Sequence, residues 1–256
     1  MSIKRAILSD IHSNLEAFRA VLEHIETQRV DEIYCLGDVV GYGPNPSECI
    51  DLVMEKCKMC LLGNHDQGAL FDPDGFNGSA EKAIFWTRRE LDRPSPRRDD
   101  RWDYLNVRPR KFPDDAAGAI YVHGSPRNPL NEYLFPEDIF NPKKLENQFR
   151  LVKRFSFQGH THVPGVFTEE MKFFPSKDFD GERELPLKGK FLINVGSVGQ
   201  PRDFDRRACY VTWVEDGERR ILQYHRVEYN VEETVRKIHA IRDLDNFLGD
   251  RLLEGR

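Results

Sequence analysis

Nine histidine, aspartate and asparagine residues stand in five short segments, each directly after an apolar run. The segments are Ser9-Asp10-Ile11-His12, Leu36-Gly37-Asp38-Val39-Val40-Gly41, Leu62-Gly63-Asn64-His65-Asp66, Val122-His123-Gly124-Ser125 and Gln158-Gly159-His160-Thr161-His162. They hold five of the eight histidines, which scattered placement does not explain. Imidazole mixed with carboxylate and no thiolate suits Mn, Fe, Zn, Co or Ni and disfavours Ca. A single Asp-x-His is weak evidence. Five such segments together predict a metal site, against the competing reading of five solvated turns that happen to be rich in His and Asp. The glycines flanking the polar groups predict tight turns or close backbone approach to a ligand.

The elements before these segments read as strands, so the polar groups are expected at strand ends, where open α/β sheets form their sites. Lys4–Leu8, Glu32–Leu36 and Lys58–Leu62 are apolar and strand-like, and helical spacing lies between them. Ser13-Asn14-Leu15-Glu16 fits a capping box for a helix whose buried stripe is Leu15, Phe18, Val21, Leu22 and Ile25. Asn45-Pro46-Ser47-Glu48 marks the start of a second helix. This β-α-β-α-β run calls for a largely parallel sheet. Ser79–Leu91 reads as a helix with Ala80, Ala83, Ile84 and Phe85 inward. Arg93–Asp103 reads as an exposed loop, and Arg127–Asn141 as an irregular excursion carrying Tyr133, Leu134 and Phe135. Ala119–His123, Phe155–Gln158 and Phe191–Val195 are further strands, with a charged, Gly/Pro-punctuated stretch near Lys177–Lys190. Ala208–Val214, a turn at Asp216-Gly217 and Arg219–Val227 predict a C-terminal hairpin. Asn230 caps what reads as the last helix. The expectation is α/β architecture: a single domain over 1–256, with irregular or helical excursions at 67–118 and 125–150 near the site and a β-hairpin at 208–227.

At 256 residues the chain can bury a core without disulfides. Its net charge of -5, with both signs mixed, does not predict an extended nucleic-acid-binding face. No stretch is apolar enough for a membrane span. The N-terminus enters a strand at once, without a signal-like h-region, and predicts no secretion. Five cysteines, two of them in apolar runs, predict buried free thiols in a reducing cytoplasm. Cys57-Lys58-Met59-Cys60 is a lone CxxC without the second pair that zinc would want.

In order and spacing, the set Asp10-x-His12, Gly37-Asp38-x-x-Gly41, Gly63-Asn64-His65-Asp66, His123 and Gly159-His160-x-His162 resembles the calcineurin-like metallophosphoesterase superfamily. The stretch Ile193-Asn194-Val195-Gly196-Ser197-Val198-Gly199-Gln200-Pro201-Arg202 resembles a loop of its small bacterial members. The resemblance implies a four-layer αββα sandwich of two mixed sheets with a dinuclear metal site at the C-terminal ends of the strands. It implies that Asp10, His12 and His162 hold one divalent ion, that Asn64, His123 and His160 hold the other, and that Asp38 bridges both. A hydroxide bridging the two metals would be the nucleophile. Manganese is the expected activator in vitro.

His65 resembles the histidine that contacts a phosphate oxygen or protonates the leaving group. Asp66 is expected either to fix the tautomer of His65 or to cap a turn. Arg202 is a candidate for gripping phosphate, against a surface ion pair with Asp203 or Asp205. Tyr42 and Asn45 are candidates for lining the pocket. Tyr133, Leu134 and Phe135 either stack on a nucleobase or pack on the core.

The chain lacks the Asp-Arg that Ser/Thr protein phosphatases of this superfamily carry after the Gly-Asp segment, having Val39-Val40 there. The expected function is therefore a metal-dependent phosphodiesterase with some monoesterase activity on a small phosphate ester such as a nucleotide. A protein phosphatase or dinucleoside-polyphosphate hydrolase is the alternative, and a non-catalytic metal-binding scaffold the second.

Overall fold

A computed structural model describes residues 2–179, 181–186 and 188–256. Met1, and Asp180 and Leu187 in the charged stretch near 177–190, lie outside the described residues. In chain order the elements are β1 (Ile3–Leu8), α1 (Leu15–Gln28), β2 (Glu32–Cys35), α2 (Pro46–Lys56), β3 (Met59–Cys60), α3 (Asn64–Leu70), α4 (Gly78–Leu91) and α5 (Arg98–Asn106). Next come β4 (Lys111–Asp114), β5 (Ala119–Val122), α6 (Pro142–Arg150), β6 (Phe155–Gln158), β7 (Gly165–Thr168) and β8 (Lys172–Pro175). The chain closes with β9 (Arg183–Glu184), β10 (Phe191–Asn194), β11 (Ala208–Asp216), β12 (Arg219–Val227), α7 (Val231–His239) and α8 (Phe247–Glu254).

Two six-stranded mixed sheets form, in the orders β3-β2-β1-β11-β12-β9 and β4-β5-β6-β10-β7-β8. The pairs β1–β2 and β2–β3 are parallel, as are β5–β6 and β6–β10. Alternation along β1 explains the layering, because successive side chains point to opposite faces. Ile7 enters the core between the sheets with Tyr121, Phe155, Phe157, Ile193 and Trp213. Ala6 and Leu8 face the opposite way, into a core shared with Phe18, Val21 and Ile25 of α1 and Ile50 and Val53 of α2. On the outer face of the second sheet, Leu145 and Phe149 of α6 cover Phe167 and Leu192. The result is the expected αββα sandwich. Strands in the middle of the second sheet are covered on both faces, which is why β5 and β10 read as nearly continuous apolar runs. Burial of each large side chain between the sheets contributes about 1.5–3 kcal/mol.

Several local expectations are corrected. Asn14, not Ser13, caps α1: its side chain accepts from Ala17 N at 3.1 Å. Ser13 is held in a left-handed conformation with its N–H on Val39 O, so the helix starts one residue later. Phe85 points outward, 39% exposed, under the Arg88 guanidinium, and Trp86 and Thr87 are buried instead. Residues 98–106 form a helix within the predicted exposed loop. Arg101 donates a fork to Asp51 of α2, at 2.9 and 2.7 Å, and Leu105 is buried. The helix that Asn230 caps is not the last, since α8 packs Leu248 and Leu252 against Val235, Ile238 and Tyr42. The excursion 127–141 contains a 3-10 turn at Pro136–Phe140. No helix among the described residues is long and apolar enough to cross a membrane.

Candidate metal centre

Because β1, β2, β3, β5 and β6 run parallel to a sheet neighbour, the loops at their C-terminal ends carry the five polar segments to one rim. Backbone bonds stitch these loops together. Asp10 N donates to Gly37 O and His12 N to Asp38 O, both at 3.0 Å, and Gly159 N donates to His123 O at 3.0 Å. Side chains complete the frame. His65 N donates to Asp38 Oδ1 at 2.8 Å, and His160 N to Asp10 Oδ2 at 2.9 Å. The loop after β10 clamps it from outside. Ser197 Oγ donates to Asp10 O at 2.9 Å, and Asn194 Nδ2 to Gly159 O at 2.7 Å. Gly63 is required here, since a Cβ on it would collide with the backbone nitrogen and Oδ1 of Asp38.

The backbone at this rim is strained. Ten non-glycine residues among the described ones have positive φ, and they include Asp10, His12, Ser13, Asp38, Tyr42, His160 and His162. Asp and His tolerate this region better than most residues, yet each such position costs about 1–3 kcal/mol. The clustering shows that the surrounding fold holds these side chains in place.

Three groups of side chains converge closely enough to hold an ion: Asp10, His12 and His162; Asp38, His123 and His160; and His12, Asp38 and His65. In each group the ligand atoms lie within 4.8 Å of one another. The tautomers follow from the outer partners. His12 Nδ1 faces Val40 O at 3.2 Å, His162 Nδ1 faces Gln200 O at 2.6 Å, and His123 Nδ1 faces Leu36 O at 3.1 Å. A carbonyl only accepts, so each Nδ1 carries a proton, and in the neutral ring Nε2 presents a bare lone pair. Those lone pairs point at one another and at other acceptors. His12 Nε2 lies 3.1 Å from His162 Nε2, and His123 Nε2 lies 2.9 Å from Asn64 Oδ1 and 3.3 Å from Asp38 Oδ2. Asp10 Oδ1, 3.2 Å from His162 Nε2, has no hydrogen-bond partner among the described residues. Acceptors converging this closely in a buried site need positive charge between them, and divalent cations fit the donor set.

The electrostatics agree. Burial pushes His12 well below its ordinary value and His160 down to about 3, so both present lone pairs at neutral pH. Burial also opposes charge on His123, but Asp38 and Asp10 outweigh it and raise the ring to about 9. Asp38 stays well below the carboxylate range: burial works against its charge, and His123, His65 and His12 overcome it.

All seven residues expected as ligands are brought together. His65 lies among them, packed on His12, Tyr42 and Phe76 with ring centroids 4.8, 4.4 and 4.8 Å away. Its Nδ1 is buried without a partner, and burial lowers its pKa to about 4. Asp66 does not touch this ring. Its oxygens accept from Val40 N at 3.1 Å and Gly63 N at 3.0 Å, tying the Asp38 loop to the Asn64 turn, and this replaces the tautomer-fixing expectation. Buried beside Asp38, its carboxyl is pushed up to about 7.

Tyr42 is buried against His12 at 4.7 Å, with the Arg202 guanidinium 6.0 Å from its ring centre. Arg202 does not pair with Asp203 or Asp205. Those carboxylates are taken by Arg226 and Arg207, while Arg202 donates to Gln200 Oε1 at 2.8 Å. Asn45 is turned away and donates to Glu48. Tyr133 stacks on His160, with centroids 3.7 Å apart. Nothing in the residue order pointed to Phe76 or to the carbonyls of Leu36, Val40 and Gln200. Backbone groups leave no trace in residue type, and Phe76 lies among loop residues without periodicity.

The sequence profile described as calcineurin-like phosphoesterase matches residues 3–164. An uncharacterised protein of Methanocaldococcus jannaschii is 37% identical over 259 residues, covering 98% of each chain. The crystal structure of a metallophosphoesterase from Sphaerobacter thermophilus superposes with a TM-score of 0.83 at 33% identity over 100% of both chains. A hypothetical protein of Pyrococcus horikoshii shares the fold, with a TM-score of 0.75 at 20% identity over 99% of both chains.

Proposed function

This chain belongs to the calcineurin-like phosphoesterase family, and from that premise we infer that it hydrolyses phosphodiesters of small molecules, with monoesters as secondary substrates, at a pair of divalent metal ions. The observation that carries this reading is the convergence of buried imidazole and carboxylate ligand atoms in two groups that meet at Asp38. Asp10, His12 and His162 would hold one ion, Asn64, His123 and His160 the other, and Asp38 would serve both. Bound there, the ions supply Lewis acidity toward the phosphate oxygens and make water acidic enough to attack at neutral pH.

The chain's own groups do the rest. His65, its ring set among the ligand residues, offers a hydrogen bond to a phosphate oxygen or a proton to the leaving alkoxide. Arg202, with no carboxylate partner among the described residues, supplies a guanidinium able to bind two phosphate oxygens at once. Tyr42 holds His12, His65 and Arg202 at their spacing. Free thiols at Cys35, Cys49, Cys57, Cys60 and Cys209 support a reducing cytoplasm as the place of action.

The test is hydrolysis of bis-p-nitrophenyl phosphate beside p-nitrophenyl phosphate. With manganese the diester is expected to be cleaved faster, chelation to abolish both reactions, and manganese to restore them. Faster cleavage of the monoester would make the protein a phosphatase. No cleavage with any of Mn, Fe, Zn, Co or Ni would leave a metal-binding scaffold.

A further inference from the structure

We propose that Tyr133 and Phe135 form a ledge that stacks the planar base of a nucleotide whose phosphate sits at the metal centre. This inference rests on the phosphoesterase reading and names its substrate class. The excursion after β5 carries the three residues in an extended stretch, where successive side chains alternate in direction. Leu134 turns inward, 2% exposed, onto Leu145 and Phe149. Its neighbours turn outward, with Tyr133 40% and Phe135 42% exposed. Leu134 thus anchors the stretch while the two rings beside it depart from core packing.

The outward rings are ordered. Phe135 is parallel to Tyr133 within 6°, with centroids 5.3 Å apart, and Tyr133 lies within 20° of the His160 ring at 3.7 Å. A run of parallel rings therefore starts at a residue of the metal centre and leads outward. Its backbone is fixed. Glu132 accepts from Ser125 Oγ at 2.6 Å and Gln148 Nε2 at 2.8 Å, Lys144 Nζ holds Tyr133 O at 2.8 Å, and Phe135 N donates to Asp138 at 2.9 Å. Rings held in this way lose little freedom when a flat ligand stacks on them. Arg202 lies beside the centre, its guanidinium 6.0 Å from the ring of Tyr42, which itself packs on His12 and His65. Phosphate at the metals, a cation beside them and stacked rings leading outward match a nucleotide, whose base is covalently tied to the phosphate. Stacking on aromatic side chains tolerates any base, so the ledge selects a base and not its identity.

The measurement compares two esters with the same leaving group on the manganese-loaded full chain: thymidine 5′-(p-nitrophenyl phosphate) and methyl p-nitrophenyl phosphate. KM is expected to be about tenfold lower for the thymidine ester. Phe135→Ala should bring the ratio of the two KM values close to one, and Phe135→Trp should restore it. Phe135 is chosen because Tyr133 touches His160, and metal content of each variant checks that the centre is intact. A ratio near one in the unaltered chain, or a ratio that Phe135→Ala does not change, overturns the proposal. If neither ester is cleaved, the phosphoesterase reading fails first, and equilibrium dialysis of thymidine 5′-monophosphate decides the ledge separately. Binding that weakens in Phe135→Ala supports it, and binding absent or unaltered refutes it.

Discussion

Asp38→Asn lowers kcat/KM by about 10³-fold or more, and the purified chain retains less metal than the unaltered protein. The reason is the position of this carboxylate. Its Oδ2 lies 3.6 Å from His12 Nε2 in one group and 3.3 Å from His123 Nε2 in the other, while Oδ1 accepts from His65 N. Asparagine fills the same volume but removes the negative charge shared by both groups. It also either turns N–H donors toward the lone pairs of His12 and His123 or loses the bond from His65 N. The first puts partial positive charge where cations should sit, and the second sets an amide NH2 against the His65 N–H. Metal analysis of the purified variant, followed by diester kinetics in excess manganese, separates lost affinity from lost chemistry. Turnover near that of the unaltered chain would sink the assignment of two ions joined by Asp38.

His65→Ala is expected to act in the opposite pattern, slowing kcat by about 10²-fold while metal content stays unchanged. His65 lies within 4.8 Å of His12 and Asp38, so proximity alone would allow it to be a ligand. Two observations argue otherwise. Its Nδ1 is packed against Gly41, where an added Cβ would come within 2.4 Å of it, so this nitrogen is taken up by the loop backbone. Its link to Asp38 runs through the backbone N–H, which alanine keeps. Substrate bearing a good leaving group needs no proton on departure, so p-nitrophenyl esters should lose less than alkyl diesters. Loss of a metal ion from the variant would make His65 a ligand. His65→Gln, which keeps more of the volume between Tyr42 and Phe76, guards against collapse of that contact.

The rim was legible in the sequence because parallel strands end where their apolar runs end, and the next residues are the site. Asp10, Asp38, Asn64, His123 and His160 each follow such a run by a few residues. The hairpin was legible for a similar reason, since alternation on both sides of Asp216-Gly217 leaves one register. The helix α5 was not. Its sequence is dominated by charge, and what holds it is a tertiary fork from Arg101 to Asp51, fifty residues earlier. Of the two roles open for Asp66 the turn cap is the one found, and its second bond, from Val40 N, was hidden because every residue carries such an N–H group. The outward turn of Phe135 was equally hidden, because composition does not say which of three adjacent apolar residues is the anchor.

The left-handed residues at the rim have a consequence for how this protein could decay. Asp10, His12, Asp38, His160 and His162 hold conformations that glycine adopts freely. While turnover is under selection, substitution there is forbidden by chemistry. Once a duplicated copy is released from that selection, glycine at His12, His160 or His162 relieves about 1 kcal/mol of backbone strain. At Asp10 or Asp38 it would also strip the buried N–H groups of His160 and His65 of their acceptors, so decay would begin at the histidines and leave the two carboxylates in place as framing acceptors after turnover is gone.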